Sequence, residues 1–225
     1  MLKLILSIFL MILPFKSHAS EIHPTCQTVV FDFGGVMVDF GLQDFMKSMA
    51  EELNMPIEEF KAAIKAEIPL LATGKLKEKD FWIAFSEKYN TSLPKDWSDK
   101  YREVIKRLVK PKKEMYDLVV RLKEKGYQVA MLSDVTEWQA SVFQELNLYE
   151  GFDPLVLSYE INTRKPKEES YLLLLQKLNK QPSQCIFIDD RIENVEEAKK
   201  LGIQAIAFES YDKLIQALQE FHILN

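Results

Sequence analysis

The spacing of hydrophobic residues changes twice along the chain and divides it into segments of different structure. An apolar run at residues 29–31 ends at Asp32 and is followed by two glycines, the pattern of a buried strand that ends in a turn. From residue 42 to about residue 89, and again from 101 to 108, apolar side chains recur every three or four positions, which predicts helices. So long a connection exceeds an ordinary loop. We therefore predict an inserted helical domain at residues 41–108.

From residue 111 onward, short apolar runs alternate with helical patterns. Pro111 and Gly126 are placed to open and close a helix. Strands are predicted at residues 129–132, 155–157, 185–188 and 203–208, with helices at 137–146, 167–178, between the last two strands up to about 201, and at 211–221. Short apolar strands that alternate with helices indicate parallel βαβ units and a buried sheet. The predicted fold class is α/β, with the sheet domain built from residues 20–40 and 109–225.

The first nineteen residues differ from the rest of the chain. One lysine, Lys3, precedes an apolar run of about a dozen residues and then Ser17-His18-Ala19. This is the pattern of a secretory signal peptide cleaved after Ala19, and the run is short of the ~20 residues of a membrane-spanning helix. The alternative is an uncleaved anchor. We expect export to the periplasm or secretion, and no membrane contact after cleavage.

Composition narrows the possible partners. The 225 residues carry a formal net charge of −5 and a sequence pI near 5.4, so a broad basic face for nucleic acid is not expected. The two cysteines, Cys26 and Cys185, flank predicted strands. Since an oxidising compartment permits a disulfide, we predict a Cys26–Cys185 bridge, with two small buried apolar side chains as the alternative. The sequence contains no information on oligomeric state.

Polar residues follow three of the predicted strands. In parallel sheets the ligand site lies beyond the carboxyl ends of the strands. Two adjacent acids that converge on a third repel one another unless a cation neutralises them, and oxygen ligands favour magnesium. One site is therefore predicted from four segments: Asp32, Ser133-Asp134, Arg164-Lys165-Pro166 and Asp189-Asp190.

The same segments carry a family resemblance. The order FDFGGV, LSD, RKP and FIDDRIEN, at residues 31–36, 132–134, 164–166 and 187–194, resembles the haloacid dehalogenase superfamily of hydrolases, most of which are phosphatases. The resemblance implies a Rossmann-like parallel sheet core with an inserted α-helical cap, in which the strands before Asp32 and Asp189 are neighbours. It also implies a small phosphorylated metabolite as substrate and Mg²⁺ as cofactor.

The resemblance assigns a role to each site residue. Asp32 is the expected nucleophile, which forms an aspartyl-phosphate that water hydrolyses. Lys165 is expected to approach the phosphate and Asp32, and Pro166 favours it over Arg164 and Lys167 because the residue before proline stays extended. The remaining expectations are phosphate binding by Gly35, Ser133 and Asp134, and metal binding by Asp32, the carbonyl of Gly34 and Asp190. Asp189 is a further ligand or an orienting group, and Asn194 stands where another acid is frequent.

Gly34 departs from the family pattern. The residue two beyond the nucleophile is usually a second aspartate that acts as general acid and base, which typically contributes about 10²–10⁴-fold to the rate. Three interpretations stay open: a phosphatase whose leaving groups need little protonation, a 2-haloacid dehalogenase whose halide leaves without a proton, or a silent relative that still binds phosphate or metal. Asp39 is expected in a hinge or capping role rather than as the missing acid.

Two features of the helical segment remain hypotheses at this stage. The spacing of Phe81 and Phe85 on one helical face predicts core packing before any contact with substrate. Thr73-Gly74-Lys75 marks a helix break and is a candidate for a position near the cleft.

Overall fold

The computed structural model describes residues 26–225, which form a parallel sheet flanked by helices and a separate group of helices inserted after the first strand. The predicted signal peptide at residues 1–19 lies outside the described residues. Within residues 26–225, no helix has both the length and the apolar character that crossing a bilayer requires.

Strands and helices alternate as the sequence pattern predicts. The strands are β1 (Thr28–Phe31), β2 (Val38–Phe40), β3 (Val109–Pro111), β4 (Gln128–Ser133), β5 (Leu155–Leu157), β6 (Cys185–Asp189) and β7 (Gln204–Ala207). The helices are α1 (Leu42–Glu52), α2 (Ile57–Lys65), α3 (Ile68–Ala72), α4 (Glu78–Lys88), α5 (Trp97–Leu108), α6 (Lys113–Glu124), α7 (Glu137–Glu145), α8 (Ser158–Ile161), α9 (Glu168–Leu178), α10 (Ile192–Lys200) and α11 (Tyr211–Glu220).

The main sheet has the order β5-β4-β1-β6-β7, and its paired strands are parallel. β1 is central, and Val30 lies between Ala130 of β4 and Phe187 of β6. This arrangement confirms the predicted α/β class and the expected adjacency of β1 and β6. Because the strands are parallel, the polar residues that follow β1, β4 and β6 emerge at the same edge of the sheet.

Alternate residues of the central strands pack against helices on opposite faces. On one face Val30 and Phe187 pack with Tyr171, Leu174 and Val195 from α9 and α10. On the other face the core includes Val29, Phe31 and Ile188 together with apolar residues of α6, α7 and α11. Burial on both faces explains why β1 and β6 read as continuous apolar runs rather than as alternating ones.

The inserted helices α1–α5, which we call the cap, are joined to the sheet domain through a short two-stranded sheet. In this hinge sheet β2 pairs with β3 in antiparallel orientation, so that Asp39 lies opposite Lys110. The sequence analysis missed the hinge sheet, and its assignment of Pro111 to the start of a helix is wrong, since Pro111 ends β3 and α6 begins at Lys113. Strands of three residues are too short to show a period.

The cap has an aromatic core of its own. Phe81 and Phe85 of α4 are buried and pack with Phe60, Trp82 and Trp97, with ring centroids 4.8 Å apart for Trp82 and Trp97. The prediction of core packing for Phe81 and Phe85 is confirmed.

The predicted disulfide is wrong in this structure, where Cys26 and Cys185 are both free. The physical reason is their placement on the sheet. Cys26 packs against the core on one face, whereas Cys185 belongs to the cluster on the other. The alternative interpretation, two small apolar side chains at or near the core, describes them.

Candidate active site

Three carboxylates converge at the edge of the sheet where β1 and β6 end. One oxygen from each of Asp32, Asp189 and Asp190 lies within 4.8 Å of the others. The register explains this proximity, because the N–H of Asp32 donates to the carbonyl of Ile188 at 2.8 Å and thereby extends the pairing of β1 with β6. Asp32 and Asp189 are buried and Asp190 is exposed. An acidic centre with one open side results.

Lys165 is the cation of this centre. Its Nζ donates to Asp32 Oδ1 at 2.6 Å and to Asp189 Oδ2 at 2.7 Å, and only 2% of the residue is exposed. Burial by itself lowers the pKa of Lys165, but the charges of Asp32 and Asp189 outweigh it and hold the pKa above its ordinary value. The side chain therefore stays charged between the two carboxylates. Arg164 makes a different contact, described below.

The side chain of Asp189 is oriented by several donors. Its two oxygens accept hydrogen bonds from Asn194 Nδ2 at 2.9 and 3.0 Å, from the N–H of Arg191 at 2.9 Å and from Lys165. With this many donors on a fully buried carboxylate, Asp189 is better suited to orient Lys165 than to bind an ion. Asn194, which the sequence analysis placed at a position where an acid is frequent, lies behind Asp189.

The two glycines after Asp32 differ in their surroundings. A Cβ built on Gly35 would lie 2.1 Å from Asp190 Oδ2, and the backbone there has φ +79°. Gly35 is therefore required for the close approach of Asp190. A Cβ on Gly34 would meet no atom within 4 Å among the described residues. The absence of a side chain at position 34 is not imposed by crowding.

The turn after β4 and the segment before α9 meet beside the carboxylates. Ser133 ends β4 and is buried. The carboxylate of Asp134 accepts from Arg164 Nε and from the N–H of Lys165, both at 3.1 Å. These bonds fix the main chain that carries Lys165. Because the carboxylate of Asp134 makes these two bonds, the main-chain N–H of Asp134 is the group that remains for the phosphate binding predicted for this residue.

Charge makes this centre suited to a divalent cation. Three carboxylates against one lysine leave two negative charges unbalanced, while Asp134 and Arg164 form a neutral pair. Burial raises the pKa of Asp32 to about 7, and Asp189 adds to this shift while Lys165 opposes it. Burial and Asp189 also raise the pKa of Asp190. Oxygen donors and a net negative charge are what a hard divalent ion requires.

Lys112, which the sequence analysis missed, connects the hinge sheet to this centre. Its Nζ donates to the carbonyl of Gly35 at 2.5 Å and lies 3.0 Å from Asp39 Oδ1. The placement agrees with the hinge role expected for Asp39. Nothing in the sequence pattern around Lys112 distinguishes it from the neighbouring Lys110 and Lys113, because the contact depends on where the hinge sheet lies.

Comparison with known proteins identifies the family. The model of the haloacid dehalogenase-like hydrolase family matches residues 26–202. The chain belongs to this family. Its membership confirms the resemblance drawn from the four motifs, and the chain is a hydrolase of the α/β type that those motifs implied.

Several relatives of this hydrolase have known functions or structures. It is 27% identical over 197 residues to the D-ribitol-5-phosphate phosphatase of Bacteroides thetaiotaomicron, covering 79% of this chain and 89% of the relative. It is 25% identical to the phosphorylated carbohydrates phosphatase of Thermotoga maritima, covering 80% and 83%. A crystal structure of a B. thetaiotaomicron family enzyme in complex with magnesium and inorganic phosphate superposes with a TM-score of 0.72 at 21% identity, covering 84% of this chain and 98% of that one.

Proposed function

We propose that this hydrolase is a magnesium-dependent phosphatase that acts on a small phosphorylated metabolite through an aspartyl-phosphate. The observation that carries the proposal is the convergence of Asp32, Asp189 and Asp190 on Lys165 at one edge of the sheet. Relatives that cover most of the chain are named phosphatases of phosphorylated sugars and sugar alcohols.

The geometry supports Asp32 as the nucleophile. A carboxylate oxygen of Asp32 attacks phosphorus, the ester P–O bond breaks, and the alcohol leaves with its oxygen protonated from solvent. Water then attacks the aspartyl-phosphate, which releases inorganic phosphate and restores the carboxylate. Lys165, held by Asp32 and Asp189, neutralises charge on the phosphoryl oxygens as they pass through the transition state. Ser133 and the main-chain N–H of Asp134 are proposed to bind those oxygens. Gly35, whose own N–H donates to the carbonyl of Val38, is proposed to let the backbone approach the phosphate closely.

The acidic centre fits Mg²⁺ on the basis of its donors and its net charge. Asp32, the carbonyl of Gly34 and Asp190 would hold the ion, with Asp189 in the orienting role that its hydrogen bonds support. When bound, the ion supplies positive charge that lets the carboxylates and a phosphate occupy the same small volume.

The decisive experiment compares the wild type with Asp32→Asn on an activated aryl phosphate. Hydrolysis should require magnesium, stop with a chelator, and fall by about 10³-fold or more in the variant, because an amide cannot form the covalent intermediate. Chloride release from 2-chloropropionate in the presence of chelator would instead identify a dehalogenase. Magnesium binding without either activity would identify the silent relative.

We also propose that the protein is exported and that residues 1–19 are removed. The lysine, the short apolar run and the small residues before Ser20 support this proposal. Expression of the full chain in a bacterium should yield a periplasmic or secreted protein whose first residue, read by N-terminal sequencing, is Ser20. A cytoplasmic product that begins at Met1 would contradict it.

A further inference from the structure

An apolar cavity lies between the cap and the sheet domain, next to the candidate active site. Its volume is about 170 Å³. Most of the wall comes from α1–α4 of the cap, and it includes Phe45, Phe60, Ile64, Leu71, Phe81 and Trp82. We call this space the cap–core cavity.

The cap–core cavity adjoins both segments that carry the candidate phosphate-binding groups. Asp134 and Arg164 line it, and they are the immediate neighbours of Ser133 and Lys165. If the phosphoryl group of a phosphate ester lies at Ser133 and Lys165, the rest of the ester can therefore reach the cavity.

Most of the polar side chains in the cavity wall have partners within the protein. Glu78 accepts from the N–H of Trp138 at 2.5 Å, and the hydroxyls of Tyr101 and Thr136 lie near its carboxylate. Thr136 and Gln139 form a capping box at the start of α7. Asp134 is bound to Arg164. The aromatic and aliphatic side chains of the wall offer no acceptor and, apart from the indole N–H of Trp82, no donor. Most hydroxyls of a guest that fills this part of the cavity would therefore lose their water without a replacement.

The volume of the cap–core cavity and its apolar wall together indicate which kind of substrate group it accommodates. An apolar cavity of about 150 Å³ accommodates a benzene molecule, and the cap–core cavity, which is partly open to solvent, is slightly larger. We propose, on the basis of the phosphatase function argued above, that this hydrolase prefers phosphate monoesters that carry one apolar six-membered ring or a branched chain of similar size. This preference differs from the polyol substrates in the names of its relatives.

A matched pair of ligands tests the preference. Cyclohexylmethyl phosphate and glucose 6-phosphate both place a six-membered ring on a primary CH₂–O–P group, and they differ in the polarity of the ring. Each is tested as an inhibitor of acetyl phosphate hydrolysis in the presence of magnesium. The cyclohexyl ester should inhibit at least tenfold more tightly, since each buried hydroxyl without a partner weakens binding roughly tenfold. Equal or tighter inhibition by glucose 6-phosphate would overturn the proposal.

The same series separates a failure of this inference from a failure of the phosphatase proposal. If acetyl phosphate is not hydrolysed, the phosphatase proposal fails. Calorimetric titration of the two esters with magnesium then still gives the ratio of their affinities. Linear ethyl, butyl and hexyl phosphates, which share one leaving-group pKa, should bind about three- to fourfold more tightly for each added methylene until the cavity is filled. An affinity that does not change with chain length would also overturn the inference.

Two surface variants locate the effect. Leu42 lines the cavity at its rim and is 50% exposed, and Leu172 on α9 is 48% exposed but lies outside the cavity. Leu42→Asn should weaken binding of the cyclohexyl ester threefold or more and leave the affinity for glucose 6-phosphate little changed, because the substitution removes only apolar contact. Leu172→Asn should change neither of the two affinities. Equal effects of the two variants would show that the cavity is not the binding site.

Discussion

At the scale of single residues, two adjacent glycines have different functions in this site. Gly35 permits the contact with Asp190, because a Cβ there would overlap the carboxylate. Gly34 has free space around its Cα. The sequence alone does not distinguish these two glycines. The proton donor usually found at this position is therefore absent without any steric reason, and a side chain can be restored there.

Restoring the acid tests what its absence does. Gly34→Asp should increase hydrolysis of simple alkyl phosphates by roughly 10- to 100-fold, because the new carboxyl group protonates the leaving oxygen. Acetyl phosphate, whose leaving group needs no proton, should show little gain. In the wild type the rate should depend steeply on leaving-group pKa. Steady-state kinetics over a series of aryl and alkyl esters measures both effects.

Gly34→Asn is the matched control, since it adds nearly the same volume without a transferable proton. An equal gain from asparagine and aspartate would contradict the interpretation.

At the scale of secondary structure, the hinge sheet joins the cap to the loop that follows Asp32. β2 and β3 carry the chain into and out of the cap, and Lys112, directly after β3, binds the carbonyl of Gly35 and the side chain of Asp39. The position of the loop that carries Gly34 and Gly35 is thus tied to the two strands on which the cap is mounted. This connection gives Lys112 a positioning role.

Lys112→Met should lower kcat about tenfold while KM for a small substrate changes little, because the loop loses the cation that holds Gly35 but keeps its packing. Lys112→Arg should recover part of the loss. Lys110→Met is the control, since Lys110 lies two residues earlier, on β3, and is exposed. Steady-state kinetics together with thermal unfolding measures the outcome. A loss in stability with unchanged kcat would show a purely structural role.

At the scale of the whole molecule, the cap is docked on the sheet domain through polar contacts as well as apolar ones. Ser158 donates to the carbonyl of Ala72 at the end of α3. Gly74 packs closely against the main chain of Tyr159, because a Cβ built on Gly74 would lie 2.2 Å from the carbonyl oxygen of Tyr159. The helix break at residues 73–75 is thus a docking point of the cap. Glu78 of α4 reaches across to the first turn of α7.

The burial of Glu78 should make the stability of the folded protein depend on pH. Burial raises the pKa of Glu78 from 4.5 to about 7, and Glu137 adds to the shift while the N–H of Trp138 and the hydroxyls of Tyr101 and Thr136 oppose it. Between these pH values the folded protein binds more protons than the unfolded chain, so the free energy of unfolding should fall as pH rises from 4.5 to 7.

In Glu78→Gln the free energy of unfolding should fall by roughly 1–3 kcal/mol less than in the wild type between pH 4.5 and 7, because the amide does not ionise. Urea unfolding at a series of pH values measures it. Glu137→Gln is the control, since Glu137 is partly exposed, is paired with Lys77 and contributes less to the shift of Glu78 than burial does. It should change the slope much less than Glu78→Gln. Parallel curves for the wild type and Glu78→Gln would refute the assignment.

The sequence was informative where local pattern determines structure. Continuous apolar runs marked β1, β4 and β6, since both faces of a central parallel strand are buried. The polar residue after each run marked the functional edge, because the ends of parallel strands meet there. The long helical block marked the cap. The four motifs, each at the end of a predicted strand, sufficed to suggest the family. The adjacency of β1 and β6 came from that resemblance and not from local pattern.

Tertiary structure alone decided which of these residues interact and how. It showed that Lys165, which the sequence already favoured over Arg164, binds Asp189 as well as Asp32, and it packed the two cysteines against different core clusters. It also brought Lys112 to Gly35 and formed the cap–core cavity between the cap and the sheet domain. The reason is physical: a periodic pattern records which side of its own element a side chain occupies, whereas a contact depends on how separate elements are positioned against one another.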